Sequence, residues 1–392
     1  MRYQPTPKPF PAFVLAALAA LVLACLPAAR PVNAGTVYRD PLLWPFAQNS
    51  IWNMPIGLGA RYVPARIGIP TGAALVADED VLILTPNAPR RVVYLNTAGW
   101  DPSLSRCGTI DRTMPILPQP VPVPPSFSTE PGPGSAGYLG GTPNMSAAIL
   151  LPDGRTVVQT QPFHVCGPGG LLTSQYTFPN ADLITGDGIA GAHGGSGMSS
   201  IGGTLRLGEL VPGGVIRHAL KLELDGALYY YYSPTDPTPG YRWPALTADD
   251  YAATNYGGHV PALKMGSLLA LPPSFPIKSL STTPGKILAR ALQDYGAYVV
   301  DDAAWDAVQI ATEWGPRGRV IDEFQHVWGF SFQPDVTVPC AQTMASCRWA
   351  TDLARIVTHL AVVDNNSPAC IGGCGARRAP LALPFDPKLI RN

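Results

Sequence analysis

Between residues 185 and 220 the chain sets Asp187, His193, Ser196, Arg206, Glu209, Arg217 and His218 among closely spaced glycines. A second acidic pair, Asp301-Asp302, follows the apolar run Ala297-Tyr298-Val299-Val300. Carboxyls, imidazoles and a guanidinium at two separated points suit acid–base chemistry. Glycoside hydrolysis needs one carboxyl to protonate the leaving oxygen and a second to attack or to activate water. Glu209 and Asp301 are the first candidates for that pair, with His218 and Asp187 as further catalytic candidates. Arg206 and His218 would tune the carboxyls or hold hydroxyls, and His193 joins Arg206 among the substrate-binding candidates. Trp243, within Tyr241-Arg242-Trp243-Pro244-Ala245, offers a stacking face for a sugar ring, and Tyr295 and Asp302 complete the expected binding set. Each has a structural alternative. His218 alternates with leucines and could be a core histidine, Trp243 could pack against its proline, and the glycine-rich stretch could be a solvated loop.

Other chemistries fit less well. A lyase would take its base from His218 or Tyr295 and neutralise a uronate with Arg206. Acidic polymers usually meet a basic cleft, however, and this chain has 27 Lys plus Arg against 27 Asp plus Glu. The same balance leaves no electrostatic footprint for nucleic acid. The serine-elbow pattern fails, because Gly194-Gly195-Ser196-Gly197 is followed by Met198. No P-loop, dinucleotide fingerprint or H-E-x-x-H occurs. No cofactor and no metal are expected, and the partner is a polysaccharide or oligosaccharide. The non-enzymatic alternative is an extracellular carbohydrate-binding or surface protein.

The elements that must position these groups are short. Of 392 residues, 40 are glycine and 44 proline. That density of breakers favours strands joined by shaped turns over long helices. Residues 81–84 and 92–95 read as strands, and residues 147–160 as a hairpin around Asp153-Gly154. Residues 216–224 read as a strand that Asp225-Gly226 turns into a second hairpin. Residues 116–125, rich in proline, suit polyproline II or a sheet edge. Thr283-Pro284 opens a helix that Gly296 stops, and residues 346–360 form a second. The reading is mainly β: a β-sandwich or jelly-roll-like fold with two packed helices.

The N-terminus has the form of a secretory signal. Arg2 and Lys8 precede an apolar run over residues 13–26, and Val32-Asn33-Ala34 suits cleavage after Ala34. The run is shorter than the roughly 20 residues of a membrane span, so no stable anchor is expected in the mature chain. A lipid-modified Cys25 is the lesser alternative. This gives residues 1–34 as signal peptide and 35–392 as a single secreted domain, extracellular or periplasmic. The mature chain retains Cys107, Cys166, Cys340, Cys347, Cys370 and Cys374. An even number in a secreted chain implies disulfides. Proximity suggests Cys340 with Cys347 and Cys370 with Cys374, leaving Cys107 with Cys166. A zinc site is the competing reading, but there is no paired C-x-x-C.

Several stretches together resemble a family of uncharacterised secreted proteins from soil bacteria and some fungi. They are SIWNMPI, PDGRTVVQTQP, GAHGGSGMSSIGGTLRLGEL, IRHALKL, YRWPA, ALQDYGAYVVDD and VVDNN. The resemblance spans nearly all of the mature chain and implies one secreted unit. It places Arg206, Glu209, His218, Tyr295 and Asp301 in the family pattern and carries no assigned catalytic residue.

Overall fold

The computed structural model describes residues 37–71, 73–101, 103–130, 142–334, 341 and 343–390. The expected leader with Cys25, Cys340, and most of the loop between residues 130 and 144 lie outside them. The chain is mainly β, with 27% of residues in strands against 16% in helices. Eleven strands build the large sheet: β1 (Tyr62–Pro64), β2 (Ala73–Ile83), β3 (Ala147–Leu150), β4 (Thr156–Gln161), β5 (Tyr176–Asp182), β6 (Leu220–Leu224), β7 (Leu268–Ala270), β8 (Ala297–Asp302), β9 (Ala307–Gly315), β10 (Gly318–Arg319) and β11 (Ala361–Val363). Their order is β1-β11-β7-β8-β6-β9-β2-β3-β4-β5, with β10 on β9.

The sheet is mixed. β6 pairs parallel with β8 and antiparallel with β9, while β2 runs parallel to both β9 and β3. Long connections allow parallel neighbours that hairpins cannot make. The pairing therefore gives one large mixed sheet with a four-stranded and a two-stranded companion, where a jelly roll would have two antiparallel sheets. Residues 81–84 and 92–95 do enter strands, but of different sheets. The hairpin around Asp153-Gly154 forms as expected, with Ile149 opposite Val158. The second one does not. The Asp225 carboxylate accepts the Ala227 N–H at 2.9 Å and caps a one-turn helix, Gly226–Tyr229. A short side-chain acceptor at that point favours a helix start over a two-residue turn.

The two expected helices are Thr283–Asp294 and Ala345–Thr358, which pack on each other and against the sheet. Thr282, one residue before the expected cap, accepts the Gly285 N–H through its hydroxyl. A third, Val320–Trp328, buries Val320 and Phe324, carries Asp322 and Glu323 in its first turn, and stops at Gly329 with φ 75°. Acidic residues in the first turn and a left-handed glycine at the end suit a helix dipole and cap. Cys370–Cys374, suggested by proximity, and Cys107–Cys166, the pair left over, are disulfides. Cys347 is disulfide-bonded too.

Alternation decides what the middle of the sheet buries. Leu220, Leu222 and Leu224 take one face of β6, and Lys221 and Glu223 take the other. Asp78 and Asp80 of β2 share the face of Glu313 of β9, which sits opposite Asp80. The glycine-rich segment crosses this charged face. Gly203, at φ +77°, lies so close to Trp52 that any Cβ would clash with the indole. Beneath it Lys221 Nζ meets Asp80 Oδ2 at 2.7 Å with both side chains fully buried. Nζ also donates to the Ser199 carbonyl, while Asp80 accepts from the hydroxyls of Ser146 and Thr204.

The β6–β8 ladder contains a bulge. Leu222 faces Val299, and the next residue, Glu223, faces Asp301. Val300 is skipped, and its carbonyl instead accepts the Ser196 N–H at 3.1 Å. Bulges re-aim side chains; this one turns Asp301 onto the charged face and docks the glycine-rich segment at the same point. Tyr230 fills the gap beyond it, its hydroxyl donating to the Asp301 carbonyl and accepting the Leu224 N–H.

Lys221→Met leaves Asp80 charged and uncompensated in the core and is expected to cost about 3–5 kcal/mol in chemical denaturation. Adding Asp80→Asn should recover part of that loss. Equal stability of Lys221→Met and wild type would remove the ion pair from the account of the fold.

Candidate functional site

The charged face carries two networks. In the first, His218 Nε2 lies 3.1 Å from both Glu209 oxygens, and Nδ1 lies 2.9 Å from the Ala219 carbonyl. The Arg206 backbone N–H donates to Glu209 Oε2 at 2.8 Å, and its guanidinium pairs with Glu313 at 2.8 Å. Burial opposes charge on His218, but Glu209 outweighs it and raises the imidazole pKa. Burial alone would raise Glu313, and Arg206 reverses that. Arg206 and His218 line a void of about 10 Å³, room for about one water. Its charges pair with one another, although one guanidinium nitrogen of Arg206, Nη2, has no hydrogen-bond partner.

The second network centres on His193, the last residue of the short strand Ala190–His193. Its Nε2 lies 3.4 Å from Asp78 Oδ2, 3.7 Å from Asp80 Oδ1 and 3.7 Å from Glu223 Oε1. Its Nδ1 lies 3.6 Å from Asp301 Oδ2. Burial and Lys221 work against protonation of His193, yet the surrounding Asp301, Asp78 and Asp80 push its pKa up to about 9. Burial first, then the charges of Asp78 and Asp301, raise Glu223 well above the carboxyl range. Burial would also raise Asp78, but the approach of His193, then of Glu223 and Lys221, brings it down. Gly194 follows His193 closely enough to Asp301 that a Cβ there would stand 2.5 Å from Oδ2. Any larger residue there would have to displace that carboxylate.

Asp301 also meets two further carboxyls, one of which lines a cleft. One oxygen each of Asp249, Asp301 and Asp302 lie within 4.8 Å of one another. Tyr256 donates to Asp249 at 2.5 Å and Tyr251 donates to Asp302 at 2.7 Å. Asp302, Tyr251, Thr254 and Asn255 line an open cleft of about 530 Å³. Burial, then the charge of Asp301, push Asp249 up to about 7 against the pull of Tyr256. Burial again leads at Asp302, held at about 6 with Asp301 adding to the shift and Tyr251 opposing it. Carboxyls that keep their protons near neutrality beside another carboxylate are what proton transfer to a leaving group requires.

Of the residues singled out in the sequence, His193, Asp301 and Asp302 come together here. Glu209, His218 and Arg206 come together in the first network, without Asp301. Asp187 lies in an exposed turn, its carboxylate accepting the Ile189 N–H. Tyr295 is buried at the end of the helix Thr283–Asp294, and burial pushes its hydroxyl up to about 12. Trp243 is half-buried against the main core. Asp78, Glu223, Asp249, Tyr251 and Tyr256 were not singled out. Their one signal is the run Asp78-Glu79-Asp80 inside an otherwise aliphatic strand. The sequence assigns no metal site, yet Asp78, Asp80 and His193, and separately Asp249, Asp301 and Asp302, are spaced as metal ligands are. No family model, curated protein or solved structure matches the chain.

The raised carboxyls fix the sign of a pH effect. Asp249 and Asp302 keep protons in the folded protein that the unfolded chain releases near pH 3.8. Their contribution to stability is complete below that pH and is lost as pH rises through about 6 and about 7. Asp249→Asn removes one such group. Its melting temperature relative to wild type should therefore climb between pH 4 and pH 8, by the equivalent of on the order of 1 kcal/mol. A difference that stays flat with pH would show that Asp249 titrates normally.

Proposed function

We propose that the chain is a secreted glycoside hydrolase acting on an extracellular polysaccharide through Asp301, Asp302 and Asp249. The observation that carries this reading is the meeting of three carboxyls, two of them with raised pKa values, at the point where one of them, Asp302, lines the 530 Å³ cleft. Asp302 faces the cleft and serves as the acid: its proton passes to the glycosidic oxygen as the bond to the anomeric carbon breaks. Asp301 serves as the nucleophile. Its Oδ1 accepts the Asp302 N–H at 2.9 Å, and its Oδ2 faces His193. Water then attacks the anomeric carbon of the glycosyl–Asp301 ester and gives its proton back to Asp302. Oxygens within 4.8 Å suit the short carboxyl spacing of retaining enzymes, about 5 Å, over the wider gap of inverting ones. Asp249 and the two tyrosines hold the pair. Disulfides support an oxidising compartment, and no helix among the described residues is long and apolar enough to cross a membrane. Glu209, His218 and Arg206 then act as a brace for the glycine-rich segment.

A panel of neutral plant, fungal and bacterial polysaccharides, read for reducing ends and for the absorbance of unsaturated products, checks this. Wild type should release reducing ends without the absorbance. Asp302→Asn and Asp301→Asn should each lose about 10²- to 10⁴-fold in rate while staying folded. Glu209→Gln, where folded, should keep its rate. Unsaturated products, or full activity in Asp301→Asn, would overturn the assignment.

A further inference from the structure

His193 is only 1% exposed, yet neither of its ring nitrogens makes a hydrogen bond. Glu223 Oε1, also buried, has no hydrogen-bond partner either. Three oxygens nevertheless surround Nε2, at 3.4 Å for Asp78 and 3.7 Å for Asp80 and Glu223. These separations exceed hydrogen-bond lengths of about 2.7–3.2 Å. They match the edges of a coordination shell whose ligands sit about 2.0–2.2 Å from one ion. Asp80 is committed elsewhere: Oδ1 accepts from Ser146, and Oδ2 binds Lys221 and Thr204. Asp78 Oδ2, Glu223 Oε1 and His193 Nε2 are not so engaged. Asp78, whose side chain is 27% exposed, leaves the group reachable from solvent.

We propose that Asp78, His193 and Glu223 bind one divalent transition-metal ion of the Zn²⁺ or Mn²⁺ type. One imidazole nitrogen with two carboxylate oxygens suits those ions better than Ca²⁺ or Mg²⁺, which favour all-oxygen shells. The remaining ring nitrogen, Nδ1, faces Asp301 Oδ2 at 3.6 Å, which is the carboxylate–histidine–metal relay that fixes a ligand's tautomer and orientation. Charge points the same way. Asp78, Asp80, Glu223 and Asp301 surround a space where, among the described residues, the side-chain cations paired with them are Lys221 and His193. A dication offsets that excess where neither Lys221, tied to Asp80 and Ser199, nor solvent can. Once metallated, His193 places the ion behind Asp301, so the site would organise the catalytic rim without lining the cleft. The metal assignment stands on its own geometry and does not require the hydrolase reading.

The test reads binding, not turnover. Chelator-dialysed full-length protein is titrated calorimetrically with Zn²⁺, Mn²⁺ and Ca²⁺, and the Mn²⁺-loaded wild type is measured by pulsed electron paramagnetic resonance. The expected result is one equivalent of Zn²⁺ or Mn²⁺, with a nitrogen coupling from one imidazole on the bound Mn²⁺. Glu223→Gln and Asp78→Asn should lose that equivalent, Asp301→Asn should weaken it about 10- to 100-fold, and Asp249→Asn should leave it unchanged. The spectroscopic arm uses wild type, so a variant that fails to fold does not blunt it. Absence of saturable uptake, bound Mn²⁺ without nitrogen coupling, or an ion lost in Asp249→Asn but kept in Glu223→Gln would each overturn the proposal.

Discussion

The ion pair between Lys221 and Asp80 is the constraint around which the rest is arranged. Both side chains are fully buried at the centre of the sheet, where a lone charge would be prohibitively unstable. Each must therefore be held by several partners, and those partners come from different parts of the chain. Ser146 lies just before β3, and Ser199 and Thr204 belong to the glycine-rich segment. The pair thus ties β2, β6 and that segment into one register. A segment with so many glycines has little intrinsic preference for one path. Its path is set by the charges it has to cover.

The two flanking networks differ in how completely they close. Around His218 every principal charge has a complement, Glu209 for the imidazole and Glu313 for Arg206, and solvent is nearly excluded. Around His193 the balance is unequal: carboxylates outnumber cations, both ring nitrogens lack hydrogen bonds, and the group continues through Asp301 to Asp302, which lines an open cleft. A satisfied buried network contributes specificity of fold. An unsatisfied one is tolerated where something else completes it. That asymmetry, more than the identity of any single residue, separates a brace from a site on the same sheet face.

Much of this was legible in the sequence, and the failures have physical causes. The helix Thr283–Asp294, the hairpin at Asp153-Gly154 and the Cys370–Cys374 pair follow from local chemistry, and local chemistry sufficed. His193, Asp301 and Asp302 stood out by type and by their positions at element ends. Glu209 and Asp301 were paired because both are carboxylates near glycine or a strand end, but which carboxylates meet is decided by strand order, a long-range property. Lys221 and Glu223 were hidden for a different reason. Charged residues alternating with leucines normally mark a solvated face, and here that face is covered. Asp249 sits in a segment with no periodicity, and only the fold brings it to Asp301.

The bulge at Val300 has a consequence for anyone altering this protein. In a regular ladder Glu223 would face Val300, and Asp301 would point to the side of Leu224. The meeting of His193, Glu223 and Asp301 is thus encoded partly as a frame, by one residue too many on one strand, and not only by residue identity. Idealising β8 to gain stability would preserve every side chain named here and still dismantle their arrangement. Change in this sheet by insertion or deletion is accordingly far more hazardous than change by substitution, since one residue gained or lost between Ala297 and Val300 exchanges the roles of its two faces.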